Sequence, residues 1–134
     1  MKKVAKNFNC GLFCLLLCFD ESAMYHAHIY FTLDEMALAT QVRENIIKEL
    51  PQLTYKGQLI PIPIGPHPKP MFEIHIPAAN INYAMATIDA VRQGLSVLIH
   101  PVQHDEMAAH TVDARWLGEK LPLNLDILKQ LIGK

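Results

Sequence analysis

The stretch M-Y-H-A-H-I-Y-F (24–31) decides the fold. Residues i and i+2 of a β-strand point to one face, so an alternating run rich in aromatic and branched side chains reads as a half-buried strand. One face takes Tyr25, Ala27, Ile29 and Phe31, and the other takes Met24, His26, His28, Tyr30 and Thr32. The strand extends to Leu33. An apolar face needs cover, and the next segment supplies it. Asp34 is a plausible N-cap, and residues 34–50 place Met36, Leu38, Ala39, Val42, Ile46, Ile47 and Leu50 at helical spacing before Pro51 stops the helix. Residues 53–64 read as a second strand, bent or at an edge because of Pro61 and Pro63. G-P-H-P-K-P (65–70) is a loop, and 71–76 is a third strand. Residues 77–93 form a helix with Pro77 at its start and Gly94 at its close. Residues 95–100 are a fourth strand, ended by Pro101. The order β-α-β-β-α-β predicts a ferredoxin-like α+β domain with an antiparallel sheet.

In such a sheet both helices cover one face, the first and third strands are central neighbours, and the fourth flanks the first. On the third strand Phe72, Ile74 and Ile76 oppose Met71, Glu73 and His75. On the fourth, Val97 and Ile99 oppose Ser96, Leu98 and His100. The face away from the helices therefore gathers His26, His28, Glu73, His75 and His100. Imidazoles and a carboxylate together suit a metal that prefers nitrogen and oxygen ligands. An open polar face of this kind is often covered by a second subunit, so a homodimer is expected.

Residues 104–134 exceed a minimal ferredoxin-like unit. Within them 112–117 reads as a short helical turn, and 124–132 as a terminal helix with Leu125, Leu128, Leu131 and Ile132 on one side. Trp116, the single tryptophan, reads as a packing anchor. The chain has 134 residues, about half of them hydrophobic, and a formal charge of −1. That describes one folded domain and gives no hint of nucleic acid. No apolar run is long enough for a transmembrane helix, so no stable membrane association is expected. The first 23 residues differ from the rest. Lys2, Lys3 and Lys6 precede an apolar segment from Cys10 to Phe19, which Asp20 and Glu21 close. This is the order of a secretory signal, without a clean A-x-A cleavage site. All three cysteines, Cys10, Cys14 and Cys18, lie in it, so the remainder offers no disulfide and no thiolate ligand. Three readings stand: an export signal, an apolar extension packed on the domain or a membrane, or translation that begins at Met24. The last is favoured, which divides the chain into residues 1–23 and a single domain at 24–134, with a cytoplasmic location.

Four stretches carry a resemblance: Y-H-A-H-I-Y-F (25–31), G-P-H-P-K-P-M-F-E-I (65–74), L-S-V-L-I-H-P (95–101) and A-H-T-V-D-A-R-W-L-G-E-K-L-P-L (109–123). In this order they resemble the DOPA 4,5-dioxygenase family. The resemblance implies extradiol ring opening of a catechol, such as DOPA or a related catecholic acid, with O₂ and non-haem Fe(II). Zinc competes well for such histidine-rich sites. Ground-state O₂ reacts poorly with a closed-shell catechol, so a metal must engage both, which calls for few protein ligands and open positions. On this resemblance His28, His67 and His100 are metal ligands. Glu73 is a fourth ligand or the carboxylate of a two-histidine triad, in which case one histidine orients rather than ligates. His26 and His110 are assigned proton transfer or substrate contact, since an ordinary imidazole titrates near neutrality. Arg115 or Lys69 would meet a substrate carboxylate. His75 and His104 read as ordinary polar groups. Ala109 stands where the family often has Asp, which removes one carboxylate partner for His110, and the leader lies outside the family pattern. Two alternatives stay open. One is a metal-binding dimeric ferredoxin-like protein with a non-catechol substrate or no turnover. The other is a metal-free α+β dimer that binds a small molecule or acts in regulation.

Overall fold

The computed structural model describes residues 23–132. The leader, apart from Ala23, lies outside the described residues, as do the last two positions. Strand β1 (Met24–Tyr30) leads through a 3₁₀ turn at Leu33–Glu35 into α1 (Met36–Glu49). Strands β2 (Tyr55–Lys56) and β3 (Met71–Pro77) follow. A second 3₁₀ turn, Ala78–Asn80, opens α2 (Ile81–Val91), and then comes β4 (Val97–Pro101). Helix α3 (Glu106–His110), strand β5 (Arg115–Leu117) and helix α4 (Leu125–Ile132) complete the domain. The sheet order is β2-β3-β1-β4-β5, antiparallel throughout. The first four strands give the ferredoxin-like arrangement that the sequence predicts, and β5 adds a strand beyond β4.

Alternation along β1 does what the covalent geometry requires. Ala27, Ile29 and Phe31 are fully buried against Val42 and Ile46 of α1 and Ile88 of α2, with Phe72, Ile74, Ile76, Val97 and Ile99 from the neighbouring strands. Burying one such aliphatic or aromatic side chain contributes about 1.5–3 kcal/mol, so this layer supplies most of the driving force for folding.

Four local expectations change. Strand β1 ends at Tyr30, and the helix starts later than Asp34, because the Glu35 carboxylate accepts the Thr32 backbone N–H at 2.9 Å and turns the chain there. Strand β2 holds two residues rather than twelve, followed by one isolated bridge between Ile60 and Met71. Pro61 and Pro63 carry no N–H, so the ladder cannot run on through them. Between strand and bridge, the Gly57 N–H donates to the Glu73 carbonyl at 2.7 Å, and a Cβ at Gly57 would sit 2.7 Å from that same oxygen. Only glycine permits so close an approach, and the contact fixes the backbone at Glu73. The third change is in the extension. Of the segment 112–117 expected to turn helically, residues 112–113 lie in a turn and Arg115–Leu117 form strand β5, paired with β4 through Val97–Leu117, Leu98–Trp116 and Ile99–Arg115. Helix α3 precedes it, capped by Asp105, whose carboxylate accepts the Ala108 N–H at 2.9 Å. The open edge of β4 can take up hydrogen bonds that an isolated helical turn would leave to water. Fourth, α4 buries Leu128 alone among its apolar positions, while Leu131 and Ile132 are exposed.

The face away from α1 and α2 is only partly polar. Tyr30, Met71, Leu98 and Leu121 form a second buried cluster there, with Ile60, Trp116 and Leu123 packed against it. The chain's own C-terminal segment thus covers one half of this face. The histidines occupy the other half. Among the described residues no helix is long and apolar enough to cross a membrane.

Candidate metal centre

Strand register lays out the site in rows. Tyr55, His75, His26 and His100 form one row across β2, β3, β1 and β4. Glu73, His28, Leu98 and Trp116 form the next, across β3, β1, β4 and β5. Backbone pairing therefore fixes four imidazoles and a carboxylate on adjacent strands before any side-chain contact is considered. Two further histidines come from outside the sheet. His67, on the proline-rich loop, brings its ring to 4.1 Å from that of His28. His110, at the end of α3, brings its ring to 4.2 Å from that of His100. His28, His67, His100 and His110 are all buried.

Ring-nitrogen chemistry follows from fixed partners. His100 Nδ1 lies 3.0 Å from the Pro101 carbonyl, and His110 Nδ1 lies 2.8 Å from the Glu106 carbonyl. A carbonyl only accepts, so each Nδ1 carries the hydrogen and each Nε2 carries a lone pair. His28 Nε2 is 3.1 Å from His100 Nε2. If that contact is a hydrogen bond, His28 must donate through Nε2, and its Nδ1 is then a bare lone pair. Yet His28 Nδ1 is buried without a hydrogen-bond partner, and the nearest charge, Glu73 Oε1 at 3.7 Å, is another acceptor. Neither neutral tautomer satisfies both ends of this ring. A cation between the two Nε2 atoms removes the conflict: Nδ1 then takes the hydrogen and turns it toward Glu73. Carboxylate support of this kind behind a ligating histidine is a recurrent feature of metal sites. His26, His28 and His100 place three nitrogen donors within 4.8 Å of one another. The donor set fits a divalent metal of the iron or zinc type.

Burial keeps these rings neutral. It pushes His100 from 6.5 down to about 4, although the Pro101 hydrogen bond opposes the shift. Burial, with His110 nearby, pushes His67 down to about 4 as well. His28 is held well below 6.5 by burial and by His67 and His100 beside it. His26 is lowered by burial and by the adjacent His75, against the attraction of Glu73. Neutral imidazoles are the form that binds metal. The Tyr30 hydroxyl, 2.8 Å from His67 Nδ1, is raised by burial and stays protonated.

The structure distributes the sequence-derived residues unevenly. His28 and His100 converge directly, with His26 beside them, whereas His67 touches His28 by its ring face and lies outside the group of three. Glu73 lies behind His28, toward Nδ1, and is shared with His26 Nδ1 at 3.5 Å and with His75. His75, set aside on sequence, stacks on His26 at 3.8 Å with an interplanar angle of 8°. Parity with Glu73 was the signal for it. His104 is exposed. Arg115 is not on the histidine face: its guanidinium reaches the Tyr25 hydroxyl at 3.3 Å and lies over the Tyr25 ring, on the helix side of the sheet. Lys69 is half-buried on the loop before β3. Beside His110 opens a cleft of about 580 Å³, walled by Trp116, Leu121, Leu123 and Leu125, with Lys120 at its lining. Lys120 lies within the family-like stretch 109–123 but is given no role of its own there, because the spacing of a single lysine says nothing about the cleft it lines. Glu106 Oε1 lies 3.8 Å from His110 Nδ1, so a carboxylate still attends this histidine although position 109 is alanine.

The site is thus a buried histidine cluster on the open face of a ferredoxin-like α+β sheet, next to an apolar cleft, with a donor set that could hold a metal ion. Residues 25–127 match the sequence profile of the Dopa 4,5-dioxygenase family, and the chain belongs to that family. It is 29% identical over 117 residues to the DOPA 4,5-dioxygenase of Amanita muscaria, covering 79% of this chain and 50% of that protein. An uncharacterised 21.2 kDa protein of Botryotinia fuckeliana is 33% identical over 118 residues, covering 80% of this chain and 64% of that one. The chain thus spans about half to two thirds of these relatives. The crystal structure of a candidate dioxygenase from Nostoc punctiforme superposes with a TM-score of 0.71 at 35% identity, covering 81% of this chain and 93% of that one.

Proposed function

We propose that this chain is a metal-dependent extradiol dioxygenase domain acting on a catechol such as DOPA or a related catecholic acid. The observation that carries this reading is the meeting of His28 and His100 through Nε2, with an apolar cleft one imidazole away at His110. His28 and His100 would hold the metal, with His26 or His67 as third ligand and Glu73 orienting His28. Bound Fe(II) would supply the redox chemistry that lets O₂ react with a closed-shell catechol. The protein's own residues do the rest. Trp116 and the leucines of the cleft take the aromatic ring out of water. His110 Nε2, held as an acceptor by the Glu106 carbonyl, takes a catechol proton. With His67 as the third ligand, His26, flanked by Glu73, would be the second proton carrier. Lys120 takes the place first given to Arg115 in meeting a substrate carboxylate. Ring opening places both atoms of O₂ in the product, so no further reductant is needed. A homodimer and a cytoplasmic location belong to the same proposal, although the C-terminal segment already covers part of the face expected to meet a second copy.

The test is anaerobic loading with Fe(II), then DOPA or caffeic acid, then O₂. A yellow product and one O₂ consumed per catechol are expected. Iron-replete protein that consumes no O₂ with any catechol would favour a metal-binding domain with another substrate.

A further inference from the structure

A second group of metal-ligating side chains lies outward of the His28–His100 pair. His26, Glu73 and His75 each offer a donor atom, all within 4.8 Å of one another. Glu73 Oε2 is the common point: His75 Nε2 is hydrogen-bonded to it, and His26 Nδ1 lies 3.5 Å away. Three features of the fold hold the group together. Glu73 and His75 are two apart on β3 and therefore share a face. His26 is the directly paired neighbour of His75 across the β1–β3 ladder. The His26 and His75 rings stack at 3.8 Å, with the Tyr55 ring 4.5 Å beyond His75 at the sheet edge. Sites built on paired strands are held more closely than sites on loops.

The group also differs in access from the buried pair. The three side chains are each about one quarter exposed, so solvent reaches them. Two imidazoles and one carboxylate, open to water for a fourth position, make a donor set for zinc and its neighbours. We propose that His26, Glu73 and His75 form a second, outer site for a divalent cation of the zinc class, distinct from the buried site at His28 and His100. A neutral imidazole has one lone pair, so His26 serves the outer group through the Nδ1 that faces Glu73, and His67 is then left as the third nitrogen for the buried site. The cation takes the place of the direct His75–Glu73 hydrogen bond and draws the same carboxylate oxygen toward both rings. The buried site then takes metal for chemistry, and the outer site takes a cation exchangeable with solvent.

The experiment is zinc titration of the full chain after chelator treatment, read by calorimetry and by metal analysis after dialysis. It needs no catechol, so its outcome is independent of the ring-cleavage reading. The wild-type chain should bind two zinc ions, His75→Gln one, His100→Gln one, and the double variant none. His75 is partly exposed, so His75→Gln should fold, which circular dichroism checks. One zinc in the wild type, or two in His75→Gln, overturns the proposal.

Discussion

The buried imidazoles make the metal-free domain acid-labile in a window that can be calculated. His67 and His100 hold folded-state values of about 4, against 6.5 in an ordinary environment, and both are less than a tenth exposed. Between those limits the unfolded chain binds protons that the folded chain refuses. Stability is therefore full above pH 6.5, falls as the pH drops, and levels off below about pH 4. At about pH 5.5 each histidine costs about 1.4 kcal/mol relative to pH 7.5, so the pair costs about 3 kcal/mol. His28 adds to this in the same direction. A loss of that size is a large share of the roughly 5–15 kcal/mol typical of a domain. Few carboxylates take up protons in this interval, which isolates the histidines. The assay is urea unfolding in the presence of a chelator at several pH values across this range. The midpoint should fall steeply with an unchanged m-value, and the His67→Gln/His100→Gln double variant should lose a large part of the slope, with His28 and His26 keeping the remainder. A flat midpoint between about pH 7.5 and 5.5, or a slope undiminished in the double variant, would refute the reasoning.

Tyr30→Phe removes the hydroxyl that pairs with His67 Nδ1 and leaves a buried nitrogen unpartnered. The cost should be about 1–3 kcal/mol, seen as a lower denaturation midpoint without loss of secondary structure. Leu98→Ala opens a cavity in the fully buried floor between His28 and Trp116, and should cost about 2–5 kcal/mol in the same assay. It should also weaken metal retention, because His28 loses its neighbour in the row. His28→Ala and His100→Ala should each abolish retention of iron at the buried site. Full iron content after dialysis in both variants would remove these residues from the metal centre.

Much of this arrangement was readable because the strand period comes from covalent geometry. Once residues 24–31 are a strand, His26 and His28 must share a face, and the same parity groups Glu73 with His75 and Leu98 with His100. Parity also placed Tyr30 with them, although it says nothing about the hydroxyl meeting a loop histidine. His75 was judged off-centre, but β3 pairs with β1 so that His75 falls directly opposite His26. Arg115 shows the opposite case. In the strand that forms, Arg115 and Trp116 point to opposite faces, so Trp116 lies on the cleft side and Arg115 on the helix side. Whether residues 112–117 coil or extend depends on the unpaired edge of β4, a partner far away in sequence. No local pattern in three residues records that edge.

The same distinction separates the two kinds of histidine in the centre. Those on the sheet are placed by periodicity and register, so sequence alone brings them close. His67 and His110 arrive by a proline-rich loop and a one-turn helix, and their positions depend on tertiary contacts such as the Asn124 N–H to Pro66 carbonyl bond at 2.8 Å. Those contacts matter chemically because they set the ring's environment. Backbone carbonyls at Pro101 and Glu106 fix the Nδ1 hydrogens of His100 and His110, and so leave the Nε2 atom of each neutral ring as the acceptor. Burial keeps His100 neutral down to about pH 4. A metal site needs those lone pairs available at neutral pH without competition from protons. The environment that provides them is the one that destabilises the empty domain in acid, so metal affinity and acid lability should change together in variants that expose these rings.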